Sequence, residues 1–368
     1  MFEKQTARLA RLIPDWAFNP FAAKRRPRFN PTISTEQRKE PESVAYTLFR
    51  YNEDGYEEKN LTDDESCQLY TQKDSVVWIN IDGLKRDEIA KIGTCYNIHY
   101  LILEDILSIG QRAKMDETGN VIFCLLPMLY YNEGTGQVET EQVSMVLGEN
   151  FVLSFQEDPV RDVFDPVRER IRSGQLKLRQ SGADFLCYSL IDIIVDSYFA
   201  IIERLNERIE RLEDNMIIQK EKAAMAKISL LRREVMTLRR SILPVRDLVS
   251  AFVRSDSDLL DRTHKKYFKD VLDHIIQAND YVESNRDMLV NLQDLSMSQI
   301  NLRMNEVMKV FTLLATLMAP ATVIGGIFGM NFEVIPLTHQ YEGFYIAVGA
   351  MLLIPTLMMI YFKRKGWF

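Results

Sequence analysis

Two long stretches without charged residues lie close to the C-terminal end of the sequence. Residues 305–331 carry no charge after Lys309, and residues 343–362 carry none at all. At ~1.5 Å per residue, each stretch is about long enough to cross the ~30 Å hydrocarbon core of a bilayer as one helix. The pattern therefore predicts two transmembrane helices, joined by a loop at 332–342 and followed by a basic tail at 363–368.

The remainder of the chain is charged and changes character along its length. Residues 44–180 contain five runs of β-branched and aromatic residues, with two helical stretches between them. This mixture predicts an α/β domain with helices packed on a sheet. Residues 181–263 predict a long helical hairpin, and residues 264–304 a stalk helix that continues into the first span. Residues 1–43, rich in Pro and basic side chains, predict a flexible segment.

The stalk helix indicates self-association. Apolar residues recur at helical spacing from Tyr267 to Leu295 and form a continuous seam on one face. A helix of this length needs partners along such a seam. The sequence therefore predicts an oligomer, although the spacing does not give the number of subunits.

One face of the first span carries small and polar side chains at alternating steps of three and four residues. This polar stripe consists of Asn305, Met308, Thr312, Ala315, Ala319, Thr322 and Gly326. Small residues favour close helix–helix packing, and the pair Gly325-x-x-x-Gly329 supports that interpretation. The stripe is also typical of one wall of a water-filled path to which several copies of the chain contribute. The spacing alone leaves both interpretations open.

Charge asymmetry around the two spans predicts their orientation. The loop contains Glu333 and Glu342 but neither Lys nor Arg, whereas Arg303, Lys309 and the 363–368 tail are basic. The positive-inside rule places the loop outside the cell and both termini in the cytoplasm. The α/β domain is then cytosolic, and the chain is a multi-pass protein of the cell (inner or plasma) membrane.

Composition and motifs argue against several classes of function. The net charge of −7 argues against a nucleic-acid partner and is compatible with cations. No Walker loop, G-x-G-x-x-G fingerprint or nucleophile elbow occurs, so we expect neither an enzyme nor an organic cofactor. The four cysteines lack C-x-x-C spacing and are expected to be reduced. A membrane-anchored helical scaffold is an alternative, but an anchor would not need the polar stripe.

The first span ends in Gly329-Met330-Asn331, followed by a short acidic loop. In this position the tripeptide resembles the Gly-Met-Asn signature of CorA-type magnesium and cobalt transporters. Further segments resemble that family in the same order: LEDIL at 103–107, DVFDPVRERIR at 162–172, YSLIDIIVD at 188–196, YFKDVLDH at 267–274 and NEVMKV at 305–310. Phe328 stands where the family usually has Tyr, and the loop lacks the family's Met-Pro-Glu-Leu run, which leaves the ion preference open.

The resemblance implies a homopentameric funnel that conducts Mg²⁺, with Co²⁺ and Ni²⁺ as further candidates. Transport would be passive, driven by the membrane potential and gated by cytosolic Mg²⁺, so that Mg²⁺ is both the transported and the regulatory ion. A zinc transporter of the same fold is the alternative within this architecture.

The resemblance also assigns roles to individual residues. Gly329, Met330 and Asn331 would form the selectivity signature, and the polar stripe would line the pore, with Met308 and Phe311 as an apolar constriction. Regulatory Mg²⁺ between the cytosolic domains of neighbouring subunits would be bound by Glu104, Asp105, Asp192 and Asp270. From sequence alone these four carboxylates are more simply solvated charges. Glu333 and Glu342 would attract cations at the outer loop.

Overall fold

The computed structural model of the protein forms two compact units. It describes residues 41, 43–62, 65, 74–108, 110–134, 136–158, 161–219, 224–330, 335–337 and 340–367. Among the described residues, the first unit comprises those up to Asn206 together with Arg233–Ser284, and the second comprises those between Glu207 and Arg232 together with those from Asn285 onward. The predicted flexible segment at 1–43 lies almost wholly outside the described residues, as do Asn331 and Glu333.

A mixed β-sheet forms the base of the first unit. Within the described residues its strands are β1 (Ala45–Tyr51), β2 (Tyr56–Leu61), β3 (Val76–Asp82), β4 (Lys114–Thr118), β5 (Val121–Asn132), β6 (Gln137–Leu147) and β7 (Phe151–Gln156). Their order is β2-β1-β3-β7-β6-β5-β4. The β3–β7 pair is parallel, and the other pairs are antiparallel. The sequence predicted five of these strands; β2 and β4, the two at the sheet edges, were missed.

The helices follow the predicted arrangement. They are α1 (Arg86–Cys95), α2 (Tyr100–Leu107), α3 (Asp165–Arg172), α4 (Leu176–Arg179), α5 (Ala183–Gln219), α6 (Ala224–Arg254), α7 (Lys265–Phe328) and α8 (Gly343–Arg364). The predicted stalk and first span form one continuous helix, α7, which Pro320 does not interrupt. Membrane-spanning helices tolerate Pro because neighbouring helices, Ser and Thr side chains and local adjustments satisfy the backbone groups that Pro leaves free.

Both faces of the sheet are covered, which explains why β3 is buried along most of its length. On one face, Ile79 and Ile81 of β3 pack with Ile89 of α1 and Ile102 of α2. On the other face, Trp78 stacks on Phe49 and meets Phe164 edge-on, with ring centroids 5.1 and 5.9 Å away. The Trp78 indole N–H donates to Ser154 Oγ at 2.9 Å, so this buried ring keeps its polar partner.

Polar contacts fix the helices that carry the candidate metal ligands. The Tyr198 hydroxyl of α5 donates to the Pro127 carbonyl of β5. At the start of α5, Asp184 Oδ2 accepts from the Asp261 backbone N–H at 2.9 Å and lies 2.8 Å from His264 Nδ1. Asp184 is nearly fully buried, so these bonds hold the beginning of α7 beside the beginning of α5.

The cysteines depart in part from expectation. Cys124 and Cys187 are buried free thiols, as expected for reduced core residues. Cys95, the last residue of α1, is disulfide-bonded, so the expectation of four reduced thiols is wrong there.

Three described helices are long and apolar enough to cross a membrane, judged by length and composition only. In α5 the apolar window is 61% buried inside the protein, so this helix belongs to the core of a compact unit. The corresponding windows of α7 and α8 are only 6% and 11% buried. The predicted first span is the last part of α7 as far as Phe328, and the predicted second span lies within α8. The exposed apolar surface of both suits a lipid environment.

Candidate cation path and metal site

The polar stripe lies on the side of α7 that faces away from α8. Leu313 of α7 is only 6% exposed, and a Cβ at Gly325 would lie 3.6 Å from Met351 Cε of α8. Leu317 and Ile324 are half-buried on the same side. At 3.6 residues per turn, the stripe is centred roughly 150° around the helix axis from this contact face. Every member of the stripe is exposed, so packing within one chain does not use it.

The hydroxyl groups on the stripe present their oxygen atoms outward. Thr312 Oγ1 donates to the Met308 carbonyl at 2.8 Å, and Thr322 Oγ1 donates to the Met318 carbonyl at 3.0 Å. Each hydroxyl thus uses its only hydrogen within its own helix and keeps lone pairs as acceptors. Acceptor oxygens suit the outer hydrogens of a hydrated cation better than they suit an anion.

The structure describes both residues of the candidate constriction but only part of the signature at the other end of the path. Gly329 and Met330 follow α7 in a turn, in which Gly329 N–H donates to the Gly325 carbonyl at 3.0 Å. The third residue of the signature, Asn331, and the loop residue Glu333 lie outside the described residues. Glu342 immediately precedes α8 and is exposed. At the opposite end, Met308 and Phe311 are 58% and 64% exposed, as an apolar constriction between copies of the chain would require.

Asp105, one of the sequence-predicted regulatory ligands, is paired within its own chain. It lies on α2 with Oδ2 2.6 Å from Lys114 Nζ of β4, and Lys114 is also 3.1 Å from Asp116. Burial alone would lower the pKa of Lys114, but hydrogen bonds to Asp105 and Asp116 outweigh it and raise that pKa. Glu104, on the same helix, is exposed.

Asp192 lies in a cluster that joins α5 to α7. Asp192 and Asp196 of α5 and His274 of α7 place possible metal-ligand atoms within 4.8 Å of one another. His274 Nδ1 is 3.8 Å from Asp196 Oδ1, and the Tyr188 hydroxyl lies 3.5 Å from Asp192 Oδ2. Among the described residues, the buried His274 Nδ1 has no hydrogen-bond partner. An unsatisfied buried nitrogen beside two carboxylates is the arrangement that a bound cation would complete.

Electrostatics indicate that this cluster concentrates negative charge. Burial, followed by the neighbouring charge of Asp196, raises the pKa of Asp192 to about 6. Asp270, exposed on α7 one turn before His274, contributes in the same direction, while His274 and Arg170 oppose it. The structure thus brings the predicted ligands Asp192 and Asp270 into one electrostatic neighbourhood. It also adds Asp196 and His274, which the sequence did not single out.

The donor set decides which cations the cluster suits. Carboxylate oxygens that leave room for retained water fit Mg²⁺, so Asp192, Asp196 and Asp270 are compatible with the regulatory ion that the family resemblance implies. An imidazole nitrogen among them favours Co²⁺, Ni²⁺ or Zn²⁺. A spacing of four residues in the sequence could have identified Asp196 and His274. This spacing puts Asp192 beside Asp196 on one helix face and Asp270 beside His274 on another.

Comparisons with known proteins define the class of this chain. Residues 73–364 match the family model described as CorA-like Mg²⁺ transporter protein. The chain therefore belongs to the CorA family of membrane transporters.

Particular relatives support the same assignment. The cobalt/magnesium transport protein CorA of Thermotoga maritima is 39% identical over 327 residues, which cover 89% of this chain and 93% of that protein. The putative metal ion transporter YfjQ of Bacillus subtilis is 32% identical, covering 79% of this chain and 89% of the relative. The complete structure of the CorA magnesium transporter from Methanocaldococcus jannaschii matches with a TM-score of 0.74 at 22% identity, over 89% and 99% of the two chains. The last comparison confirms the fold: an α/β domain, long helices and C-terminal apolar helices.

Proposed function

We propose that this protein conducts divalent cations passively across the cell membrane, with Mg²⁺ foremost and Co²⁺ or Ni²⁺ as further substrates. Copies of the chain, five by family resemblance, would each contribute α7 to a central path. The observation that carries the proposal is the polar stripe, exposed along a membrane-spanning helix and turned away from the only other span described in the chain. The names of the relatives from Thermotoga and Methanocaldococcus support magnesium and cobalt as substrates.

The membrane potential supplies enough energy for this transport. Moving one elementary charge through 100 mV is worth ~2.3 kcal/mol, so a divalent cation gains roughly 4.6 kcal/mol on entering a negative interior. No nucleotide-binding loop occurs in the sequence, and this mechanism requires none.

The path suits a cation that keeps its water. Residues 310–331 include no charged side chain, so a carboxylate cage that could strip the ion is missing from this stretch. Mg²⁺ sheds water reluctantly, and the outward lone pairs of Thr312 and Thr322 can accept hydrogen bonds from its hydration shell. The amide oxygen of Asn331 would act in the same way in a ring at the outer mouth, where Glu333 and Glu342 attract cations.

Cytosolic Mg²⁺ would regulate the path through the acidic residues of the first unit. With both termini in the cytoplasm, Glu104, Asp105, Asp192 and Asp270 face the internal solution. Like charges brought together between neighbouring subunits repel, and positive charge held there would offset that repulsion and favour the closed state. A cation can shift this equilibrium only by its difference in affinity between the two states.

Two exposed glycines allow a matched test of the path. A Cβ at Gly326, on the stripe, and a Cβ at Gly349, on α8, would each meet no atom within 4 Å in the single chain. A side chain can therefore be added at both positions without a clash at its Cβ atom within the single chain. Gly326→Leu should narrow a path lined by several copies and lower Mg²⁺ influx at least tenfold in proteoliposomes, whereas Gly349→Leu should leave it near the parental rate.

The same assay distinguishes the alternatives. Influx of Mg²⁺, Co²⁺, Ni²⁺ and Zn²⁺ is compared under an imposed inside-negative potential, with oligomer size checked for each variant. Influx of Zn²⁺ alone would identify a zinc transporter, and no influx of any cation would favour a scaffold. Equal inhibition by both leucine variants would contradict the assignment of the stripe.

A further inference from the structure

An apolar groove runs between the two spans at the end that carries the basic residues. Its volume is about 400 Å³, within the roughly 300–1,000 Å³ of typical small-molecule sites. The walls are formed by side chains from α7 and α8 together with one aromatic residue beyond α8. These residues are Glu306, Lys309, Val310, Leu313, Leu314, Leu317, Met359 and Trp367.

The sequence after α8 fixes Trp367 as one end of the groove. Gly366 has a positive φ of 74° and ends the helix in a left-handed turn. Its N–H donates to the Lys363 carbonyl, and the Trp367 N–H donates to the Phe362 carbonyl, at 3.2 and 3.1 Å. This is the Schellman pattern of helix termination, which brings the residue after the glycine back onto the last turn. Trp367 accordingly stacks on Phe362 with ring centroids 5.3 Å apart.

The length of the groove corresponds to one leaflet of a bilayer. From Glu306 to Leu317 the helix rises about 16 Å, roughly half of the ~30 Å hydrocarbon core. Apolar walls over that distance suit an extended acyl chain. Trp367 at the opening is in keeping with the preference of tryptophan for the membrane–water interface.

Charge at the opening selects the headgroup. Lys309 lines the groove, and Lys363, Arg364 and Lys365 are exposed at the end of α8. Against these four cations stands Glu306, so the opening carries an excess of positive charge. An anionic headgroup complements this charge, whereas a zwitterionic headgroup gains little from it.

We propose that this groove binds one acyl chain of an anionic glycerophospholipid of the inner leaflet, with its phosphate at Lys309 and the basic end of α8. The assignment rests on the proposed function for its orientation, in which this end of both spans faces the cytoplasm. The lipid would separate α7 from α8 at the level of the inner leaflet and seal the outer side of the path.

Native mass spectrometry of the full-length protein in detergent tests the site directly. Phosphatidylglycerol and phosphatidylcholine with identical acyl chains are titrated separately, and retained lipid is counted per subunit. The parent should retain phosphatidylglycerol in preference. Lys309→Gln should weaken phosphatidylglycerol about fivefold, the equivalent of ~1 kcal/mol per basic side chain near an anionic surface, and should leave phosphatidylcholine unchanged. Lys269→Gln, earlier on α7, is the matched control and should behave as the parent.

Filling the groove tests its apolar part. Leu314→Trp should lower the retention of both lipids, whereas Leu352→Trp, on an exposed position of α8 outside the groove, should not. If Leu314→Trp fails to assemble, Trp367→Ala removes one end of the groove without adding volume and should also lower retention.

Several outcomes would overturn the proposal. Equal retention of both lipids by the parent, or parental retention by both Leu314→Trp and Trp367→Ala, rules out the site. Disulfide cross-linking between subunits through Leu314→Cys would show that a second copy covers the groove. Lipid retention and ion flux are measured in separate assays. If the protein retains phosphatidylglycerol but conducts no cation, the proposed function is wrong and the lipid site is not contradicted.

Discussion

The ion pair between Asp105 and Lys114 leads to a prediction about the sensitivity of the protein to internal Mg²⁺. Asp105 is a proposed regulatory ligand, yet its Oδ2 is already bound to an ammonium group 2.6 Å away. A cation that approaches Asp105 must compete with Lys114. Replacing Lys114 with Met keeps much of the apolar stem and removes the competitor, so Mg²⁺ should bind more tightly and close the path at a lower internal concentration.

The size of the shift follows from the exposure of the pair. Asp105 and Lys114 side chains are 20% and 34% exposed, so the pair is neither fully solvated nor buried. Exposed pairs contribute ~0.2–1 kcal/mol, and hydrogen bonds to charged groups ~1.5–3 kcal/mol. A value of about 1.4 kcal/mol lies between these two ranges and corresponds to a tenfold change in the affinity for Mg²⁺. Because the Lys114 contact involves only Oδ2 of the two carboxylate oxygens, we take this value as an upper bound and expect a shift of roughly threefold to tenfold.

Protease protection and flux measure the same shift independently. The half-protecting Mg²⁺ concentration of the full-length protein, and the internal Mg²⁺ that halves influx into proteoliposomes, should both fall by this factor in Lys114→Met. Asp105→Asn should move both values in the opposite direction. The control is Lys91→Met, which breaks the comparable pair of Lys91 with Glu88 at 2.9 Å on α1 and should change neither value.

Two results would refute this reasoning. If Lys114→Met requires more Mg²⁺ than the parent, Lys114 supports the closed state instead of competing with the ion. If Lys114→Met and Asp105→Asn both match the parent in both assays, the pair is a structural contact and the sensor lies elsewhere in the chain.

Three further predictions concern the mouth, the constriction and the stability of the first unit. Asn331→Ala should remove the proposed ring of amide oxygens at the outer mouth and abolish most Mg²⁺ uptake, while the oligomer remains intact by size-exclusion chromatography. Unchanged uptake would exclude a role of Asn331 in cation selection. Met308→Ser should wet the constriction and raise flux at high internal Mg²⁺, and closure equal to that of the parent would exclude a gate there. Burial, followed by the charge of Asp162, raises the pKa of Asp82 to about 6, so ionisation of Asp82 lowers stability as pH rises through about 4 to 6. Asp82→Asn should thus raise the free energy of unfolding above about pH 6 by up to ~1–2 kcal/mol after solvent screening, with little gain at about pH 4. Thermal unfolding of parent and variant at both pH values measures this difference, and an equal gain at both would contradict the assignment.

The sheet shows which parts of the fold could be predicted from sequence. The five predicted strands are central, and their buried faces impose runs of β-branched and aromatic residues. The missed strand β2, YEEKNL, is exposed at all but its last residue, and β4, KMDET, has no buried residue. Edge strands carry charge that discourages pairing with other molecules, so the pattern that identifies a strand is weakest there. Their positions follow from pairing with β1 and β5, which a local pattern does not contain.

The metal-ligand cluster shows a second kind of feature that local sequence patterns cannot predict. Asp192 and His274 are 82 positions apart, and only the packing of α5 against α7 brings them together. Sequence periodicity places each on a helix face but does not specify which faces meet. The Asp105–Lys114 pair is hidden for the same reason, because it joins a helix to an edge strand. Pairs of this kind require the tertiary fold, even where a family resemblance names one partner.

The interpretation of the polar stripe depends on which face of α7 lies against α8. Seven residues at helical spacing define this face of α7. From sequence alone the face was consistent both with close helix packing and with a water-filled path. If α8 had covered the stripe, packing within the chain would have explained it completely. Instead Leu313 is buried on the opposite face, a Cβ at Gly325 would contact Met351 of α8, and the threonine hydroxyls of the stripe bond back to their own helix with lone pairs outward. An exposed polar face on a membrane helix is unfavourable against lipid, so it must meet other copies, water or both. The oligomer that we propose, built around a wet path, would satisfy this requirement for Asn305, Thr312 and Thr322, whereas a solitary anchor would leave it unmet.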